Sequence, residues 1–253
     1  MKKVLTILLA VSLVLLCGCG TPGLFLSTLK GNGDTAANVT ALSDGVYTLK
    51  ISGITLVGTA LLSNNLVLDD TLDDAVVVTT DKNIYNDMKV TVDEAARSIT
   101  ISGSNTKKYN TNSLIIQVGV PLSEVTINGG LQVKASITKQ AKVAYIINGA
   151  VKGSVQANGV QQLSMKINGA AQLDMGGTCE NCVIDINGAT NIKAYKLVTA
   201  KSDLTISGAG NCEIFVTDTL TAKIEGLGSV TYKGDPAKVI PRTSGLGSVK
   251  PAE

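Results

Sequence analysis

Cys179-Glu180-Asn181-Cys182 is the stretch best equipped for chemistry. A Cys-x-x-Cys pair serves in thiol–disulfide exchange or supplies half of a zinc site. Zinc needs two further ligands. The chain has no His, and beyond the N-terminal segment its only other cysteine is Cys212. The redox use expects a βαβ context, and no helical periodicity surrounds this pair. In an exported protein the spacing favours a disulfide between Cys179 and Cys182 that closes a local loop. A buried free pair is the alternative, because Cys182 stands six residues before Gly188, as Val143 and Leu163 stand before Gly149 and Gly169. Cys212 reads as a small core residue.

The acidic run Asp69-Asp70 and Asp73-Asp74 is the other cluster. Calcium takes six to eight oxygens in a defined loop, and this spacing is not that of an EF-hand. The run reads as a solvated hairpin loop. No metal site and no cofactor site is expected: Walker, Rossmann and nucleophile-elbow motifs are absent. Lack of His removes the commonest general base. A net charge of +2 gives no electrostatic case for nucleic acid. With no Trp and two Phe, the chain is poor in stacking platforms for sugars.

The first residues carry a different signal. Lys2 and Lys3 precede an uncharged, mostly apolar run from Val4 to Leu16, too short to span a membrane. Leu16-Cys17-Gly18-Cys19 follows and resembles the bacterial lipoprotein signal, in which a small residue precedes a cysteine whose thiol is acylated. Cys19 fits as the lipid attachment, with Gly18 before it and Leu16 three positions back. The segment 1–18 is then a signal peptide and 19–30 a lipid-anchored linker. By the same resemblance, Gly20 stands where an Asp would retain a lipoprotein in the inner membrane, which implies an outer-membrane anchor in a Gram-negative host.

A repeat organises the rest. Ile-Asn, Ile-Ser or Ile-Glu precedes Gly129, Gly149, Gly169, Gly188, Gly208 and Gly226, with a weaker Thr-Ser before Gly245. Successive spacings are 20, 20, 19, 20, 18 and 19 residues. Two more Ile-Ser-Gly copies, at Gly53 and Gly103, fall outside this spacing. Two residues before the marked glycines stand Ile127, Ile147, Ile167, Ile186, Ile206 and Ile224; four before stand Val125, Tyr145, Met165, Ile184, Leu204 and Ala222. Alternation resumes after each glycine. Period-two alternation on both sides of a glycine means two half-buried strands per repeat.

One such unit cannot bury its apolar face alone, so units stack. The expectation is all-β: a single-stranded parallel β-helix-like solenoid with coils of about 20 residues. The six glycines are its structural corners, where φ > 0 and close backbone approach are needed. Asn128, Asn148, Asn168 and Asn187 are placed to hydrogen-bond as a ladder. An antiparallel sandwich of Asn-Gly hairpins is the rival, but it does not account for the constant period. On the outward columns, Asp174, Lys193 and Glu213 alternate in sign, and Lys166 precedes Asp185 by one coil. These are expected to pair across strands, which leaves no cluster of carboxylates for acid–base work.

Residues 31–120 form an irregular β part that starts the stack, and 121–250 the regular coils. VYTLKISG, AVVVTT, MKVTVD, SITISG and LIIQVGVP read as strands; NNLVLDDTLDD and DEAARS read as loops. Pro236, Pro241 and Pro251 are placed to blunt the far edge.

The chain resembles the head GIN domain family, known as putative auto-transporter adhesins, over most of its length after Cys19. The resemblance rests on ISGAGNCEIFVTDTLTAKIEGLGSVTYKGDP at 206–236, SGLGSV at 244–249, GNGD at 31–34 and VTINGG at 125–130. It implies a right-handed β-helix-like fold on an exported, envelope-associated protein, and it carries no catalytic residues. The function expected is a non-enzymatic envelope lipoprotein that presents a repetitive surface. Its partners would be the membrane through the lipid anchor and an envelope protein or surface glycan, with no nucleic acid. A carbohydrate-active β-helix enzyme and a purely structural envelope component stay open beside it.

Overall fold

The computed structural model describes residues 26–57, 65–138 and 140–253. Cys19 and the segment 1–18 lie outside the described residues. In chain order the elements are β1 (Ser27–Lys30), β2 (Thr35–Ala41), β3 (Tyr47–Ile54), β4 (Leu56–Val57), β5 (Leu66–Asp69), β6 (Ala75–Asp81), α1 (Lys82–Tyr85), β7 (Lys89–Asp93), β8 (Ser98–Ser102), β9 (Lys107–Asn110), β10 (Leu114–Val118), β11 (Leu122–Ile137), β12 (Lys142–Ile206), β13 (Ala209–Ile224), β14 (Ser229–Lys233), β15 (Lys238–Thr243) and β16 (Ser248–Pro251). The protein is all-β, and nearly all strands share one large mixed sheet.

The glycine repeat sets the pairing. β11 lies parallel to β12 with Val125 beside Tyr145, Ile127 beside Ile147, Gly129 beside Gly149 and Ala135 beside Val155. β12 meets β13 in the same way, with Ile192 beside Cys212 and Ile206 beside Ile224. Each residue therefore pairs with the one about a repeat later, and like side chains stack. The isoleucines two before glycine are all buried, as are the residues four before.

The isoleucines and serines of the two irregular copies continue the same columns, but a register shift sets Gly129 beside Ile54 and leaves Gly53 out of the glycine column. β3 pairs parallel with β11, setting Ile51 beside Ile127 and Ser52 beside Asn128. β8 pairs parallel with β3, setting Ile101 beside Ile51 and Ser102 beside Ser52. Spatial order is thus β8, β3, β11, although β3 comes first in the chain. The spacing looked irregular because sequence order and stacking order differ there.

On the other side of the glycines, β5 pairs parallel with the second half of β11, and β10 pairs parallel with β5. Antiparallel β6 and then β2 complete that edge, while antiparallel β7 completes the edge beside β8. The five expected strands of this part are present as β3, β6, β7, β8 and β10. DEAARS is the β7–β8 turn, where Arg97 holds φ 50°.

The NNLVLDDTLDD stretch is not all loop. Its LVLD portion is β5, with Leu66 and Leu68 buried. Without a clean alternation its leucines gave no strand signal, and pairing with Val133 and Ala135 orders them. At the far end, among the described residues, β15 pairs only with β13 and β16 only with β14, with Pro241 beside Ala222 and Pro251 beside Tyr232. Both prolines therefore sit on edge strands, where a missing N–H costs least.

Candidate functional site

The marked glycines stack with their backbones nearly touching. A Cβ on Gly149 would lie 2.2 Å from the Gly129 carbonyl oxygen, on Gly169 2.1 Å from that of Gly149, and on Gly188 1.9 Å from that of Gly169. Gly208, Gly226 and Gly245 continue the column at 2.2, 2.2 and 2.3 Å. Real Cβ atoms do not approach so closely, so the column admits glycine alone. Beside it, Asn148 Nδ2 donates to Asn128 Oδ1 and Asn168 Nδ2 to Asn148 Oδ1, both at 2.8 Å. Asn187 is next in the column, where Gly188 lies over Gly169, but it adds no amide bond to this ladder.

Cys179, Cys182 and Cys212 are buried, free thiols. The Cys179 thiol donates to the Asn181 carbonyl at 3.2 Å. Burial raises all three thiols, Cys212 to about 12. Cys212 stacks between Ile192 and Val230 as a core side chain. Among the described residues no group of three or more His, Cys, Asp or Glu gathers as a metal site would require.

The acidic run divides. Asp69 Oδ1 accepts from the Thr71 N–H at 3.0 Å and its hydroxyl at 2.6 Å. Asp70 is not solvated: it is buried and accepts from the Thr138 N–H at 2.8 Å and the Thr138 hydroxyl at 2.5 Å. Its side chain fastens the β5 turn to the end of β11. The expected outward ion pairs are also absent. Lys193 and Glu213 are register neighbours, yet the ion pairs among the described residues are Lys82–Asp34, Arg97–Glu94, Lys107–Asp87 and Lys223–Glu225. Two long side chains at the surface lose more entropy in one fixed geometry than solvated Coulomb attraction returns.

Polar networks that sequence reasoning did not find lie in the irregular part. Glu94 accepts from the Ser43 hydroxyl and, at 2.5 Å, from the Tyr47 hydroxyl. Arg97 Nη1 donates to Tyr47 Oη at 2.7 Å, Ser43 Oγ at 2.8 Å and Glu94 at 3.1 Å. The Ser43 and Tyr47 hydroxyls hold the Glu94 carboxyl below the usual range. Asp87 bonds the Lys107 ammonium and accepts from Tyr109 Oη at 2.9 Å; that lysine bond likewise lowers its carboxyl. Tyr109 is fully buried, and burial lifts its phenol to about 12. In both networks a carboxylate is kept ionised as an acceptor, which suits bracing and not proton donation. Only their tertiary meeting identifies them, since Glu94–Tyr47 and Asp87–Tyr109 are far apart in sequence.

One open recess of about 430 Å3 lies on the outward face of the last repeats. Tyr195, Glu213, Thr231, Lys233, Lys250, Pro251, Ala252 and Glu253 line it. Register builds it: Glu213 lies beside Thr231, and Thr231 beside Lys250. The Lys233 ammonium sits 4.7 Å from the centre of the Tyr195 ring, a cation–π contact. Ammonium, hydroxyl and carboxylate groups border it. Its residues come from four successive repeats, so no contiguous motif announces it.

These features define a class: an all-β protein whose parallel ladder of like residues forms the body, with the variable side chains outside. The chain belongs to the family described as "Putative auto-transporter adhesin, head GIN domain", whose model matches residues 62–236. No curated protein matches the sequence. Among solved structures, a putative adhesin from Bacteroides fragilis NCTC 9343 is similar at TM-score 0.72 and 18% identity, covering 88% of this chain and 100% of that one. A putative adhesin from Parabacteroides merdae ATCC 43184 is similar at 0.60 and 20%, covering 90% and 100%. A putative lipid binding protein from Parabacteroides distasonis ATCC 8503 is similar at 0.61 and 17%, covering 90% and 100%. At these identities the likeness is one of fold.

Proposed function

We propose that the protein is a non-enzymatic, adhesin-like component of the cell envelope. Its coils wind as a right-handed parallel β-helix-like solenoid, and it is held at the outer membrane by acylated Cys19. The outward columns meet a surface glycan or another envelope protein. Family membership carries this reading, and the outward residues around Tyr195, Lys233 and Lys250 are the surface we offer as the contact. Family membership supports an extracellular or envelope setting.

The test uses the full-length chain purified in detergent, applied to a glycan array and to separated envelope proteins. Binding that falls at least tenfold in a Lys233→Glu, Lys250→Glu double variant supports the recess as the contact. Undiminished binding removes the recess from the account. Cleavage of a polysaccharide by the purified chain would replace the adhesin reading with the carbohydrate-active one. Cys19→Ala is expected to release the protein from membranes, and unchanged retention would refute the anchor.

A further inference from the structure

The structure assigns to Cys179 and Cys182 a disulfide site built into a bend within β12, to be closed as the chain folds. The argument rests on the next coil. Cys179 and Cys182 stand nine and six residues before Gly188; Thr199 and Ser202 stand nine and six before Gly208. The two coils are in register there: Gly208 lies on Gly188, and the Ser207 N–H donates to the Ile186 carbonyl at 2.7 Å. In the Gly208 coil the equivalent side chains meet, with Thr199 Oγ1 and Ser202 Oγ 2.8 Å apart and both residues buried.

Residues three apart on a straight strand point to opposite faces. Here both members of each pair point inward. The backbone therefore turns between them, at the exposed Glu180 and at the exposed Lys201. That turn brings the side chains together. Hydroxyls 2.8 Å apart show that this bend aims both side chains at one point, the convergence that a disulfide requires. Cys179 and Cys182 hold the two corresponding positions one repeat earlier, both buried, with the reduced Cys179 thiol bonded to the Asn181 carbonyl.

The free, buried thiols of the folded protein react slowly. Closure therefore belongs to the folding chain, before the bend is covered. A Cys179 thiolate attacks a low-molecular-weight disulfide, breaks its S–S bond and expels one half as a thiolate. The Cys182 thiolate then attacks the Cys179 sulfur of the mixed disulfide and expels the other half. Two cysteine thiols are oxidised, one external disulfide is reduced to two thiols, and the two protons lost by the cysteines end on the released thiols. Cys212 lies in the following coil, beside Ile192 and Val230, and stays reduced.

The full-length chain carrying Cys17→Ser and Cys19→Ser is unfolded, refolded in oxidised and reduced glutathione, denatured, alkylated and mapped by peptide mass. The expected product links Cys179 to Cys182, lighter by two hydrogens, with Cys212 alkylated. Three alkylated cysteines, or a link that includes Cys212, overturn the proposal. A second variant tests the geometry one coil along. Cys179→Thr with Cys182→Ser rebuilds the hydroxyl pair, and Thr199→Cys with Ser202→Cys moves the thiols. The two introduced cysteines are expected to link to each other under the same conditions, and their failure to do so overturns the equivalence of the two bends.

Discussion

Gly149 lies on Gly129 so closely that a β-carbon added to it would come within 2.2 Å of the Gly129 carbonyl oxygen. Backbone, not a flexible side chain, occupies that space, and Gly149 also holds φ +154°. Gly149→Ala is therefore expected to cost at least about 2–3 kcal/mol through overlap and backbone strain. Gly130→Ala is the control, since its β-carbon would meet only the Ala150 carbonyl oxygen at 3.9 Å; it is expected to change stability by less than about 1 kcal/mol. Urea unfolding midpoints separate the two, and equal losses would contradict the stacked column.

Asn148 occupies the middle of the amide ladder, donating to Asn128 and accepting from Asn168. Asn148→Ala removes both bonds and is expected to cost about 1–2 kcal/mol, near the sum of two ordinary net hydrogen bonds. Asn128→Ala removes one bond and is expected to cost about half as much. Chemical denaturation of the two variants gives the ratio, and a ratio of one would show that the ladder is not additive.

The Asp87–Tyr109 pair makes stability fall at both ends of the pH scale. The Lys107 bond lowers the Asp87 carboxyl in the folded state, so its contribution is present above the unfolded value and is lost as pH falls through the folded one. Burial raises the Tyr109 phenol from 10 to about 12, so its contribution is present below about pH 10 and is lost as pH rises through about 12. Asp87→Asn is expected to flatten the acid limb and Tyr109→Phe the alkaline limb of the melting temperature against pH. An unchanged limb in either variant would show that its group does not contribute.

Cys212 is expected to resist iodoacetamide in the native protein and to react once unfolded, since burial lifts its thiol to about 12. Cys212→Ser places a hydroxyl between Ile192 and Val230 and is expected to cost about 1–3 kcal/mol. Rapid native alkylation would place this sulfur at the surface.

The regular half of the molecule was legible because one glycine column fixes its phase. Ile127 through Ile224 and their neighbours are buried where the alternation put them. The irregular half was legible strand by strand but not in its order, since Ile51 stacks between Ile101 and Ile127 and nothing in chain order shows that. β1, β4 and β9 form a separate small sheet from short segments with no periodicity to read. Asp70 looked like part of a solvated run because its partner, Thr138, is distant in sequence. The recess at Tyr195 is likewise a product of stacking, built from residues that share no motif.

The stacking itself is most directly measured by cross-linking across the ladder. In a background of Cys17→Ser, Cys19→Ser, Cys179→Thr, Cys182→Ser and Cys212→Ala, cysteines replace Lys193 and Glu213, which are outward register partners. A second variant replaces Lys193 and Thr231, which are separated by the intervening Glu213 strand. With a short bis-thiol reagent at low protein concentration, the first pair is expected to cross-link within one chain and the second to remain largely open. Equal cross-linking of the two pairs, or failure of the first in protein that keeps its β-sheet circular dichroism, would contradict the parallel ladder of repeats on which the functional reading stands.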